Sequence, residues 1–170
     1  MNNKETLVLF IKISQKRMYN HYLPKLIHSI QELNSEKLWY KEAPNLNTIG
    51  GIVLHICEHV KNALIRFSNR NHMTFNKGIE EFFPNLNLSP HEVIKHIKMV
   101  FEEFNNKMKR LTLNIPDKMD IHSLYHLVEH TGYHLGQIVD RSKRITNKSF
   151  DFCQNGLSEK NLKTIIELDL

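Results

Sequence analysis

Four histidines one helical turn apart, His122, His126, His130 and His134 in IHSLYHLVEHTGYHLGQIV, are the residues of this chain best suited to chemistry. A helix stacks positions i and i+4 on one face, so the run predicts a column of imidazoles. Imidazole nitrogen is the commonest protein metal ligand. Two histidines one turn apart reach one ion without strain, and another element can supply the third ligand. A second pair at the same spacing, His55 and His59, sits in GGIVLHICEHVKNAL. Eleven histidines in 170 residues is a high share, and two independent i, i+4 pairs point to a bound ion rather than to scattered surface residues.

Other chemistries fit less well. HICEH (55–59) and HLVEH (126–130) each match the H-x-x-E-H pattern of inverted zinc peptidases, with the glutamate as base. So short a pattern arises easily in a histidine-rich helix, and it supplies no third ligand. A ferritin-like di-iron centre needs two Glu-x-x-His motifs, and the chain contains none. Cys57 has histidine neighbours, yet its place on the inner side of a helix reads as a small buried hydrophobe. The two cysteines, Cys57 and Cys153, form no CxxC, which argues against a disulfide framework or a thiolate zinc site and fits a reducing cytoplasm.

Helical periodicity dominates the elements that must carry these residues, so the expected class is all-α. A first stretch, about residues 4 to 33, carries Leu7, Phe10, Ile11, Leu23, Leu26 and Ile30, with Pro24 expected to kink or split it. Asn47 or Thr48 caps a second helix to about Asn69. A polar connection from Arg70 to Leu88 is long enough to border a site, and Trp39, Tyr40, Phe82 and Phe83 are candidates for a pocket mouth, though packing explains them as well. Ser89, Pro90 and Glu92 make a capping box for a third helix to about Leu111. Asp117 or Asp120 opens a fourth through about Ile145, and Ser158 opens a short terminal one. The expectation is one domain over residues 1–170: an up-and-down four-helix bundle with a short extra C-terminal helix and one longer crossover at 70 to 88.

At 100° per residue, the fourth helix places Ile121, Leu124, Tyr125, Val128, Leu135 and Val139 in one arc and the histidines on the other half. His134 lies nearest the apolar edge formed by Leu127 and Ile138, and His130 is next. That pair is expected to face a pocket while His122 and His126 drift toward water. On the second helix the projection leaves both His55 and His59 open, leaning marginally to His59.

A net charge of +5 is spread among acids and amides, without the aromatic-basic interleaving of a nucleic-acid track, so no nucleic-acid partner is expected. Lys12 interrupts the apolar LVLFIKI, which has no small-residue cleavage site after it and reads as no signal peptide. No run approaches the roughly 18 apolar residues of a membrane span.

Three segments, LNSEKLWYKEAPNLNTIGGIVLHICEHV, the EEFF after the long connection, and LYHLVEHTGYHLGQIVDRSK, resemble the DinB/YfiT-like superfamily of metal-dependent enzymes, and the likeness spans nearly the whole chain. The last segment is the most specific, with a helical H-x-x-x-H followed by Gly and Gln. The resemblance implies a four-helix bundle in which one histidine of the second helix and two of the final long helix bind a divalent ion. Carried over by position, these are His55, in its IVLHI context, with His130 and His134. Nickel, zinc, manganese and iron all accept imidazole, and nickel or zinc is expected first. The resemblance further implies a small-molecule substrate, with S-transfer from a low-molecular-weight thiol the leading chemistry and metal-assisted hydrolysis second. Three imidazoles leave positions open for water or substrate, the arrangement of a catalytic site. The rival is a non-catalytic metal-binding or stress-response bundle, with a homodimer as one form it could take. Glu129, Tyr133 and Gln137 adjoin the ligands in sequence, and none is assigned as a general base.

Overall fold

The structure, a computed structural model, describes residues 3–68, 78–116 and 119–169. These residues are helical, with no strand among them. Helix α1 (Asn3–Lys16) passes into a wide-turned segment, Arg17–Tyr22, before α2 (Leu23–Ile30). Pro24 is the cause: it has no N–H to continue the ladder, and the backbone shifts so that the Leu23 N–H bonds to the Met18 carbonyl, five residues back. The expected split at Pro24 therefore takes the form of a π-helical stretch. Asn34 caps the single turn α3 (Ser35–Leu38), its side chain accepting from the Lys37 N–H.

Helix α4 (Ile49–Arg66) starts at Thr48, whose hydroxyl accepts from the Gly51 N–H at 2.9 Å. A 3₁₀ turn at Ile79–Glu81 precedes α5 (Pro90–Leu113), which opens with the expected reciprocal cap between Ser89 and Glu92. Asp120 caps α6 (Ile121–Thr146), and Ser158 caps α7 (Glu159–Glu167). The alternative cap Asp117, and the part of the long connection from Arg70 to Lys77, lie outside the described residues.

Thirteen of the 18 residues of α4 are buried, so it is a central helix rather than a half-wet one. It packs against α5 on one side and α6 on the other, while the α1–α2 stretch packs across the remaining sides of α5 and α6. Four long stretches meeting in this way are compatible with a four-helix bundle. Side-chain contacts give their directions. Arg66, at the end of α4, meets Ser123 at the start of α6, and Arg141 near the end of α6 reaches the Asn47 carbonyl before α4, so these two are antiparallel. Gln15 bonds Asn105 at 2.8 Å and Tyr19 bonds Glu102, which sets α1 antiparallel to α5. Tyr22 abuts Gly132 and Glu32 pairs with Lys148, which sets the first stretch parallel to α6.

Consequently α4 and α5 run the same way, and the order is up, down, down, up. This corrects the alternating up-and-down order expected from the sequence. Parallel neighbours need a return across the length of the bundle, and the long connection between α4 and α5 provides it. No helix among the described residues is long and apolar enough to cross a membrane.

The buried face of α6 also differs from the projected one. Leu124, Leu127, Thr131, His134, Leu135, Ile138 and Ser142 are buried, whereas Ile121, Tyr125 and Tyr133 are about half exposed or more. At 100° per residue the true inner face is rotated roughly 70° from the projected arc, toward the histidines. The apolar run misled because Ile121 and Tyr125 are large hydrophobes on a wet surface, which proteins tolerate singly. The rotation brings His134 fully inside.

Candidate metal centre

Helices α4 and α6 form two walls, and the chain returning through Glu80–Pro84 forms the roof. Gly51 lets the roof come down, and Gly50 makes room for the neighbouring Trp39 ring. A Cβ on Gly51 would stand 3.3 Å from the Pro84 carbonyl, and one on Gly50 would collide with the Trp39 ring at 2.7 Å. Trp39 is held there by its indole N–H, which donates to the Leu88 carbonyl at 2.7 Å. Phe83 stacks on the His55 ring with centroids 4.1 Å apart, while Phe82 and Tyr40 stay about half exposed.

Beneath the roof four imidazoles meet. The His55 and His130 Nε2 atoms are 3.2 Å apart. The His59 ring stacks on His130 at 3.9 Å, and the His134 ring stands 4.4 Å from His130 and 4.8 Å from His55. Glu80 brings a carboxylate oxygen to 3.9 Å from the Nε2 of both His59 and His130. One ligand atom from each of His55, His59, Glu80 and His130 lies within 4.8 Å of all the others, so this cluster could hold a metal ion.

The donor set fits a divalent cation. Two imidazole nitrogens about 2.1 Å from one tetrahedral ion lie roughly 3.4 Å apart, close to the observed separation. The His55 Nδ1–H donates to the Phe82 carbonyl at 3.1 Å, which leaves its Nε2 lone pair facing inward. The His134 Nδ1–H donates to Gln137 Oε1 at 2.8 Å, so the lone pair of that ring is on its Nε2. Such outer bonds fix the tautomer and orientation of ligating histidines. Two buried atoms of the cluster, His59 Nε2 and His130 Nδ1, have no hydrogen-bond partner among the described residues. An uncompensated buried polar atom is costly, and a cation would satisfy the inward-facing His59 Nε2.

Burial keeps these rings neutral. It lowers all four pKa values: His59 to about 4, His130 to about 3 and His55 below the ordinary value, with neighbouring imidazoles adding to the effect, and His134 below the ordinary value, with Arg141 adding to it. Neutral imidazole is the form that binds metal.

His122 and His126 are exposed, as the sequence led us to expect. Of the three residues assigned by resemblance, His55 and His130 belong to the four-donor cluster, and the His134 ring stands beside both without a place in that set. His59 meets them too, so the projection and the resemblance each pointed to a residue that the structure brings there. Glu80 was not foreseen as a ligand. The signal available for it was the EEFF segment closing the long connection, an acid placed beside aromatics where the chain returns to the bundle. Glu129 and Tyr133 are exposed, and Gln137 supports His134. Cys57 is fully buried and its thiol is pushed up to about 12 by desolvation, so it is a packing residue and no nucleophile.

Beside the cluster, a cleft of about 240 Å³ runs between α4 and α6, with His59 and Glu80 at one end and Arg66 and Ser123 at the other. The metal-ligand cluster thus has an open flank. Comparison of the chain with family models, with curated proteins and with solved structures finds no match.

Proposed function

We propose that the chain is a divalent-metal-dependent enzyme built on a DinB/YfiT-like four-helix bundle, with its ion on His55, His130 and His134 and a small-molecule substrate. The observation that carries this reading is the pair of inward-facing Nε2 atoms 3.2 Å apart, one from each central wall, under a roof that fixes the His55 tautomer. The His134–Gln137 bond supports His134 as the third corner. Nickel and zinc are placed ahead of manganese and iron, all of which accept imidazole.

A divalent ion there lowers the pKa of a bound thiol or water and so supplies a nucleophile at neutral pH. The protein's own contribution is to hold neutral imidazoles in place, to exclude water with the Phe83 ring, and to leave the cleft flank open for a substrate. S-transfer from a low-molecular-weight thiol to an electrophile is the leading reaction, and metal-assisted hydrolysis is second. A cytoplasmic setting accords with two unpaired cysteines.

One observation favours a second reading, a non-catalytic metal-binding protein. His55, His59, Glu80 and His130 together form a four-donor set, and four protein ligands close a site against substrate. Steady-state assay of the metal-loaded chain with a panel of thiols and electrophiles separates the two. Turnover that disappears in His130→Ala supports the enzyme. Full metal occupancy without turnover on any thiol or ester supports the binder.

A further inference from the structure

On the metal reading above, we infer that the cleft between α4 and α6 is a subsite for an anionic small molecule, whose head reaches the ion and whose carboxylate is held by Arg66 and Asn62. The residues sit in register for this. His59, Ala63 and Arg66 follow one face of α4, and His126, Leu127 and Ser123 follow the facing side of the antiparallel α6. Seven residues of helix separate the His59 end from the Arg66 end, about 10 Å along the axis. Between them the wall is apolar, from Ala63 and Leu127.

Arg66 and Glu80 are the two formally charged side chains lining the cleft among the described residues, at opposite ends. Glu80 belongs with the ion. Arg66 is placed by a hydrogen bond to Ser123 and by Asp120 at 3.7 Å, and its side chain remains 40% exposed. Asn62, one turn earlier on the same helix, adds an amide beside it. A guanidinium offers a planar fork suited to a carboxylate. The cavity falls below the roughly 300–1,000 Å³ of sites that enclose drug-sized ligands, so a short molecule fits, or one whose far end protrudes.

The test uses the full chain loaded with zinc, titrated calorimetrically with glutarate and with butyrate, which shares one carboxylate and the short alkyl chain. The wild type is expected to bind glutarate at least tenfold more tightly than butyrate. Arg66→Met should erase that preference while zinc content and butyrate affinity stay unchanged, and Arg66→Lys should retain part of it. Thermal melts of both variants check folding, and Asn62→Ala, which leaves the Asp120 pair intact, should weaken glutarate alone. Equal binding of the two acids, no binding of either, or a preference that survives in Arg66→Met overturns the proposal while leaving the metal reading in place. A chain that takes up no zinc overturns the metal reading, and this subsite with it.

Discussion

The His55 and His130 nitrogens stand at ligand spacing in every arrangement the cluster allows, so their loss should be the most damaging. His55→Ala and His130→Ala are each expected to weaken ion binding by more than about 100-fold, and His122→Ala, on an exposed position, by less than about twofold. Gln137→Ala, which frees the His134 ring, should cost roughly tenfold. Competition with a chromogenic chelator reads all of these, and a normal affinity in His130→Ala would sink the assignment. The imidazoles also set a pH dependence. In the unfolded chain they titrate near 6.5, whereas in the fold His59 and His130 are held at about 4 and about 3 by desolvation first. The unfolded state therefore binds more protons in this window. Stability of the ion-free chain should be complete above pH 6.5 and fall as the pH drops from there toward 3. A urea midpoint identical at pH 7 and pH 4.5 would contradict this. The inward turn of His130 and His134 was legible from their spacing beside Leu127 and Ile138. The choice between His55 and His59 was not, because projection assumes a helix with one wet side, and α4 is buried nearly all round.

Helix α4 acts as the post from which the site hangs, and its glycine pair governs how closely the roof and the Trp39 ring approach. Gly50→Ala would drive a methyl into the Trp39 ring. Overpacking of this kind costs about 1–3 kcal/mol, to be read as a lowered midpoint in denaturant, and it should weaken the ion as well by lifting the chain that carries Phe82 and Phe83. A midpoint unchanged within error would show that Trp39 moves aside freely. Most helix boundaries were readable from caps, since Thr48, Ser89, Asp120 and Ser158 each carry a side-chain oxygen that accepts from the first turn. The wide turns at Arg17–Tyr22 were readable only as a disturbance at Pro24, because a lost N–H can be absorbed by a kink, a break or a shifted ladder. The inner face of α6 was misplaced by counting Ile121 and Tyr125 as core. Glu80 escaped notice because a single 3₁₀ turn has no periodicity to project.

At the scale of the whole molecule, the helical class and the number of long stretches followed from periodicity, but their direction did not. Periodicity reports which face is dry and is silent on which neighbour dries it, so the parallel pairing of α4 and α5 emerged only from contacts between distant residues. The core is continuous from α1 to α6 and includes residues remote from the cluster, such as Ile11, Met18 and Phe104. Removal of the ion by a chelator should therefore leave the far-ultraviolet dichroism unchanged, while saturating ion at 1,000 times its Kd adds about 4 kcal/mol of stability. Loss of helicity on chelation would instead make the ion structural. The central claim, that this fold exists to hold a catalytic divalent ion on histidines of α4 and α6, is tested most directly by elemental analysis of the chain purified without a histidine tag. The account predicts about one divalent ion per chain, absent from His130→Ala purified in the same way. Wild-type protein that holds no ion, and acquires none when supplied with nickel, zinc, manganese or iron, would contradict it.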